Sequence, residues 1–239
     1  QQLLRYAEQL LRLAEEAQSA IATGTPPQGT LRIGSSESLC IYRLPALLRA
    51  FRMQYPRVHL IFRPSSYNEL RRLVHEGEID VAIMNDEVDS ESGAGDEVLA
   101  HEPVWMVAAP DHPFARRASV VPEDLNGADL LLTEPGCSYR AILEQILKRA
   151  RVFPGSIMEF NSLEAVKQCV MTGLGLSVLT AVAVSAEIEQ GRLVKLPWNG
   201  PDLTVATHLV WHKDKWLSPS LDAFLTMARA LLKREESLV

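Results

Sequence analysis

The chain has 239 residues, of which 47% are apolar and 6% aromatic, and its formal net charge at pH 7 is −6. This length suffices for one large globular domain or two small ones with a buried core. A surface that grips nucleic acid needs clustered Lys and Arg, so the acidic balance argues against this segment being such a surface.

The number and spacing of the cysteines and the hydropathy of the chain indicate the cellular compartment of the protein. Cys40, Cys137 and Cys169 are widely separated and odd in number, which favours free thiols in a reducing environment. The sequence has no secretory signal pattern, and no apolar run approaches the roughly 20 residues that a membrane span needs. We therefore expect a cytoplasmic protein without a membrane partner.

Residues 1–23 have the pattern of a dimerising helix. Apolar residues recur at alternating steps of four and three: Leu3, Ala7, Leu10, Ala14, Ala17 and Ile21. Such a seam needs a partner helix and predicts a long linker helix that forms a homodimer, although a helix packed on its own domain is the alternative. Because the sequence begins at Gln1 inside this pattern, we expect a piece of a longer protein.

After a linker that contains Gly and Pro, strand and helix patterns alternate. The strand patterns cover 31–34, 58–63, 79–84, 130–133, 157–160, 176–179 and 203–211. Residues 35–43 are expected to be irregular or loosely wound, because Pro45 suits only the first turn of the helix that follows. The last helix is capped by Ser218, and it returns with its strand to the first sheet.

Two similar half-units in succession predict an α/β fold with two Rossmann-like lobes. The first lobe is expected to comprise residues 29–107 plus 207–236, and the second residues 108–206. Two crossover strands, near Ala108 and Thr207, would join the lobes. Ligand sites in such architectures lie at lobe boundaries and at the carboxyl ends of strands.

Small polar residues end three strand patterns directly before helices. They are Ser35, Ser36 and Ser38, then Ser65 and Ser66, then Thr133, Cys137 and Ser138. Such junctions bring hydroxyls and helix N-terminal amides into one crevice, which predicts a small anionic bound molecule. The alternative is that each serine only caps its helix.

Two further residues near the third junction have alternative interpretations. Arg140, early in its helix, could clamp a carboxylate or form a surface salt bridge. Cys137 at a helix N-terminus could have a lowered thiol pKa and react with oxidants, or it could be a small packed or ligand-lining residue.

Metal and cofactor signals are weak. His208 and His212 lie four apart in a strand pattern without a neighbouring Cys pair, so we predict no metal site. The acidic run 86–97 lacks the pattern of a calcium loop and is expected to be a solvated loop. Gly173 and Gly175 precede a strand, so they indicate a helix stop and a turn rather than a dinucleotide fingerprint. We expect no cofactor.

Six segments, in order and spacing, resemble the effector-binding part of LysR-type transcriptional regulators. They are GTLRIGSSES (29–38), LPALLRAFRMQYPRVHL (44–60), LVHEGEIDVAI (73–83), PDHPFA (110–115), GCSYR (136–140) and SLEAVKQCVMTGLGLSVL (162–179). The resemblance implies two lobes like those of type 2 periplasmic binding proteins. It also implies a linker helix that pairs in a dimer, homotetramers of the full-length protein, and an N-terminal winged helix-turn-helix, absent here, that binds DNA.

The resemblance also implies the position of the inducer pocket. It falls on Ser36, Ser38, Ser66 and Tyr67 in the first lobe, and on the run from Thr133 to Ser138, which includes Cys137, and on Asn161 and Ser162 in the second. Arg140 is a further candidate from its position early in a helix beside the crevice. This chain has Leu179 and Thr180 where many members have Leu-Pro, so that turn is expected to differ.

These features favour a ligand-sensing regulatory domain whose effector, a carboxylate or an aromatic acid, binds between the lobes. A free-standing solute-binding protein of the same fold is the alternative, but it would not need the seam in residues 1–23. An enzyme is disfavoured, because the sequence has no nucleophile elbow, zinc-protease motif, P-loop or paired carboxylates beside an evident base.

Overall fold

The computed structural model of the chain describes residues 26–86 and 95–233, so the predicted linker helix in residues 1–23 lies outside the described residues. The described strands are β1 (Gly29–Ser35), β2 (Val58–Pro64), β3 (Val81–Asp86), β4 (Gly95–Ala108), β5 (Asp129–Thr133), β6 (Ser156–Phe160), β7 (Ser177–Thr180), β8 (Val194–Lys195) and β9 (Thr204–Trp211). The described helices are α1 (Glu37–Tyr42), α2 (Leu44–Gln54), α3 (Tyr67–His75), α4 (Ser138–Ala150), α5 (Leu163–Met171), α6 (Ala181–Glu189) and α7 (Pro219–Leu232). None of these helices is long and apolar enough to cross a bilayer.

The first lobe is a sheet covered by helices on both faces. Its strand order is β2-β1-β3-β9-β4, with β1 parallel to β2 and β3, and β9 antiparallel to β3 and β4. On one face, Phe51 of α2 meets Phe224 of α7 edge to face at a centroid distance of 5.3 Å. On the other face, α3 buries Leu70 and Leu73. Because both faces are covered, every residue of β3 is buried.

The second lobe surrounds a separate core. Strands β5 and β6 pair in parallel, while β7 and β8 pair with the far end of β4. Helices α4, α5 and α6 contribute Leu143, Val166 and Val184 to this core. The lobe therefore has its own apolar interior.

Strands β4 and β9 run antiparallel through both lobes. In β4, Leu99 packs into the core of the first lobe and Val104 into that of the second. In β9, Val205 belongs to the second core and Leu209 to the first. The predicted α/β class with two lobes joined by two strands is thus confirmed, whereas the predicted lobe bounds stay a prediction.

The structure differs from the sequence-based expectations around the acidic run. Within that run, Asp86 ends β3 and is buried, and Asp96 lies in β4, so these two residues do not form a solvated loop. Arg71 of α3 bonds Asp86 at 2.8 Å, and His208 Nδ1 lies 2.6 Å from Asp96 Oδ1. Buried carboxylates are retained because each has a cationic or hydrogen-bonding partner.

Two short helices go beyond the sequence-based expectations. Helix α1 occupies most of the segment expected to be irregular or loosely wound, and α6 follows directly after Thr180, its N-cap. Six residues are too few for a helix to be stable alone, so α1 depends on tertiary contacts. The sequence pattern did not predict α6, because the apolar residues of this segment lack a clear helical periodicity.

Candidate ligand-binding site

A cavity of about 470 Å³ lies between the two lobes. It is lined by Ser36, Glu37, Ser38, Pro64, Ser65, Ser66, Tyr67, Asn85, Thr133, Glu134, Gly136, Cys137, Ser138, Tyr139 and Asn161. These residues follow the carboxyl ends of β1, β2, β5 and β6 or end β3. Parallel strands end at the same edge of their sheet, which is why residues so far apart in sequence meet here.

Two hydroxyls of the cavity lining are buried and unbonded. Within the described part of the chain, Ser36 Oγ and Thr133 Oγ1 have no hydrogen-bond partner. They come from different lobes, and both residues line the cavity. A buried hydroxyl without a partner costs about 1–3 kcal/mol, so such groups in a protein interior call for an explanation.

Two longer helices begin at the cavity. Helix α3 begins after Ser66 and α4 after Cys137, and the described residues give neither helix a side-chain cap. In contrast, Ser162 and Ser218 accept hydrogen bonds from the first turns of α5 and α7, at 3.5 and 3.1 Å. First-turn amides have no partner inside their own helix, so those of α3 and α4 remain open to a ligand. The alternative in which Ser36 and Ser66 only cap their helices is not what the structure shows.

The hydroxyl of Ser38 is oriented by a buried relay. Thr207 donates to the Asn85 Oδ1 at 3.0 Å, and Asn85 Nδ2 donates to Ser38 Oγ at 3.3 Å. Because the Ser38 oxygen accepts this bond, its proton is free to be donated. Asn85 therefore fixes Ser38 as a donor at the cavity.

The Tyr67 side chain is fixed by hydrogen bonds to the ion pair of Asp86 and Arg71. Its hydroxyl donates to Asp86 Oδ2 at 2.6 Å and accepts from Arg71 Nε. Burial and the bond to Asp86 raise the pKa of Tyr67 to about 12, so the phenol stays neutral. With its hydroxyl engaged, Tyr67 contributes a fixed ring to the cavity.

Cys137 lines the cavity at the start of α4, but its thiol is not activated. Burial raises the pKa of Cys137 above its usual value, which counts against the alternative of a thiol activated by the helix N-terminus. Burial likewise raises the pKa of neighbouring Tyr139. Desolvation outweighs the hydrogen bonds to the Cys137 sulfur, which act to lower its pKa, because the group lies against apolar core.

Arg140 and Ser162 lie outside the cavity lining as the structure describes it. The Arg140 guanidinium donates to Glu144 at 2.7 Å, to Glu159 at 2.9 Å and to the Thr133 carbonyl. It thus joins α4 to the ends of β5 and β6 and holds the backbone of Thr133. Ser162 caps α5.

The lobes are bridged beside the cavity by α1 and α5. Glu37 accepts hydrogen bonds from the Leu163 amide at 2.9 Å and from the Ser162 hydroxyl at 3.4 Å. One turn further along each helix, Lys167 Nζ donates to the Tyr42 hydroxyl at 2.9 Å. Burial opposes the charged form of Lys167, but its hydrogen bonds outweigh this and raise the pKa of Lys167. Both bridges join the lobes through polar atoms.

Sequence reasoning missed three polar residues that line the cavity: Glu37, Asn85 and Tyr139. A signal existed for Asn85, because it is the first uncharged polar residue after an apolar strand pattern. Glu37 stands between two predicted serines, yet nothing local indicates that it reaches the other lobe.

Known proteins with similar sequences and structures agree with this two-lobed architecture. A sequence model described as the LysR substrate binding domain covers residues 24–233. The HTH-type transcriptional regulator YwqM of Bacillus subtilis (strain 168) is 41% identical over 229 residues, which are 95% of this chain and 78% of that protein.

Solved structures share the fold. The regulatory domain of CcmR from Synechocystis PCC6803, in complex with 2-PG, superposes with a TM-score of 0.78 at 24% identity, covering 86% of this chain and 98% of that one. The effector-binding domain of QuiR, in complex with shikimate, gives a TM-score of 0.75 at 17% identity, covering 87% and 99%. At these identities the likeness concerns the fold alone.

Proposed function

This chain belongs to the LysR substrate-binding domain family, and on that premise we propose that a small carboxylate binds as effector in the cavity between its lobes. The chain is the ligand-sensing part of a LysR-type transcriptional regulator. The relatives are transcriptional regulators rather than enzymes, which supports a binding role without catalysis.

The observation that carries the proposal is that Ser36 and Thr133 line one cavity from different lobes and that each has a buried hydroxyl without a hydrogen-bond partner among the described residues. A ligand that bonds both would stabilise the lobes in their present arrangement. We propose direct contacts with Ser36, Ser38, Ser66, Tyr67, Thr133, Cys137, Ser138 and Asn161. Arg140 and Ser162 would act indirectly, by positioning Thr133 and α5.

An anionic group suits the donors of this cavity. The open amides of α3 and α4 carry the positive ends of two helix dipoles, and Ser38 is oriented to donate. The 2-PG and shikimate bound by CcmR and QuiR support a small-molecule effector.

The effector would act through the arrangement of the lobes. A ligand shifts an equilibrium only through its different affinity for the two states, typically about 1–3 kcal/mol of coupling. The crossing strands β4 and β9 would carry the change toward the predicted homodimer and homotetramer. DNA would be contacted by a helix-turn-helix outside this chain, and a cytoplasmic location follows from that role.

Titration calorimetry with small carboxylates and aromatic acids tests the proposal. We expect at least one compound to bind, and Ser36→Ala and Thr133→Val each to weaken it about tenfold, because each removes one buried hydrogen bond. Ser119→Ala, at an exposed position outside the cavity, is the matched control and should leave the affinity unchanged. Equal affinity in all variants would place the ligand elsewhere, and the absence of any binding would refute a sensing role.

A further inference from the structure

The charged groups of the cavity suggest a second feature of the effector. Among the described lining residues, the charged side chains are Glu37 and Glu134, and there is no Lys, Arg or His. The cavity thus has amide and hydroxyl donors that can bind a negative group of the ligand. Its charged side chains, among the described lining residues, are both carboxylates. The following inference rests on the proposed function and narrows its ligand class.

The charge of Glu37 is already compensated. Its carboxylate accepts from the Leu163 amide and the Ser162 hydroxyl at the N-terminus of α5, a helix of nine residues. The positive end of this helix stabilises an acidic partner. Glu37 is therefore committed to joining the lobes.

Glu134 is not compensated in this way. Its side chain forms no ion pair with any residue that the structure describes, and it directly follows Thr133, whose buried hydroxyl is unbonded. The turn that carries it is held against α3, because a Cβ at Gly136, which has a φ of +94°, would lie only 3.2 Å from Asn68 Nδ2. Glu134 is thus placed in the second lobe, near the start of α3 in the first.

A ligand that carried only negative charge would be repelled by Glu134 while it bonded the amides. We propose that the effector is a zwitterion of the amino-acid class. Its carboxylate is bound by the first-turn amides of α3 and α4 with the neighbouring hydroxyls, and its protonated amine is bound by Glu134. Such a ligand satisfies both kinds of group at once and contacts both lobes.

The test compares matched pairs of compounds on the 239-residue chain. The common L-amino acids are titrated beside the 2-hydroxy acids that carry the same side chains, so that only the amine differs. We expect at least one amino acid to bind at least about tenfold more tightly than its hydroxy acid, as is typical of a charge-assisted bond. Glu134→Gln should abolish this preference, whereas Glu189→Gln, at an exposed site outside the cavity, should retain it.

The possible results of this titration distinguish the zwitterion inference from the proposed function. Hydroxy acids that bind as well as amino acids, or a preference that survives in Glu134→Gln, would overturn the zwitterion inference and leave the proposed function intact. Binding by neither series would count against the proposed function as well. The wild-type comparison needs no variant, and unfolding curves without ligand verify that Glu134→Gln folds.

Discussion

At the cavity, small polar side chains remain available to a ligand, whereas the long side chain of Arg140 is engaged by other protein groups. The hydroxyls of Ser36 and Thr133 have no hydrogen-bond partner among the described residues. Arg140 is long enough to reach Glu144 and Glu159 and is therefore occupied. The contact with Glu159 depends on β5 pairing with β6, so the sequence around Arg140 left a carboxylate clamp and a salt bridge equally open.

Cys137 provides a prediction at this scale. Because burial raises its pKa, the reactive thiolate is scarce at neutral pH and increases only as the pH rises above the usual range for thiols. We expect peroxide at pH 7 to leave Cys137 unmodified in the folded protein, as measured by peptide mass spectrometry. The same peptide from protein unfolded in urea should oxidise more readily. A sulfenate or disulfide at Cys137 in the folded protein would contradict this.

At the scale of elements, the short helix α1 joins the lobes although it could not persist alone. Its two ends bond α5, through Glu37 to Leu163 and through Tyr42 to Lys167. Lys167 is held in turn by Glu187 of α6 at 2.7 Å. The helix also packs Leu39 into the core of the first lobe, so it depends on tertiary contacts with both lobes rather than on its local sequence.

Glu37→Gln tests the bridge between α1 and α5. Replacing the carboxylate weakens a charge-assisted bond to a helix N-terminus, so we expect the free energy of unfolding to fall by about 1–2 kcal/mol. Small-angle scattering should show a larger radius of gyration as the lobes separate. Glu189→Gln is the control, since Glu189 is exposed. An unchanged radius and stability would show that other contacts hold the lobes together.

At the scale of the whole molecule, two apolar cores are connected by a single antiparallel pair of strands, β4 and β9. Few side chains are shared between the cores, so each lobe can respond separately to a defect. The polar bridges beside the cavity are the contacts that a change in lobe arrangement would break and re-form.

Phe224→Ala tests this independence. Phe224 is fully buried in the core of the first lobe, and such a truncation destabilises by about 3–5 kcal/mol. Hydrogen exchange should show lost protection in β1 and β3 and retained protection in β5 and β6. Phe153→Ala, at a side chain that is 74% exposed, should change neither. Equal loss in both lobes would indicate one cooperative unit.

Much of the fold could be predicted because its elements are encoded locally. Apolar runs in the sequence predicted strands β1, β2, β3, β5, β6, β7 and β9. The small polar residues that follow several of them marked the ends of those strands. Strand β4 was missed because the acidic residues at its start resemble a loop. Only the contacts of Asp96 with Arg71 and His208, and the pairing with β9, make this segment part of a sheet.

The sequence by itself determined the order of strands and helices and the small polar residues at their junctions, since side-chain period and size act over a few neighbours. Tertiary structure alone decided which polar groups remain free. Arg140 was neutralised by distant carboxylates, Cys137 was desolvated by the core, and Glu37 was bound by the other lobe. Hydrogen bonding and burial depend on neighbours in space, and those are set only when the two lobes fold and meet.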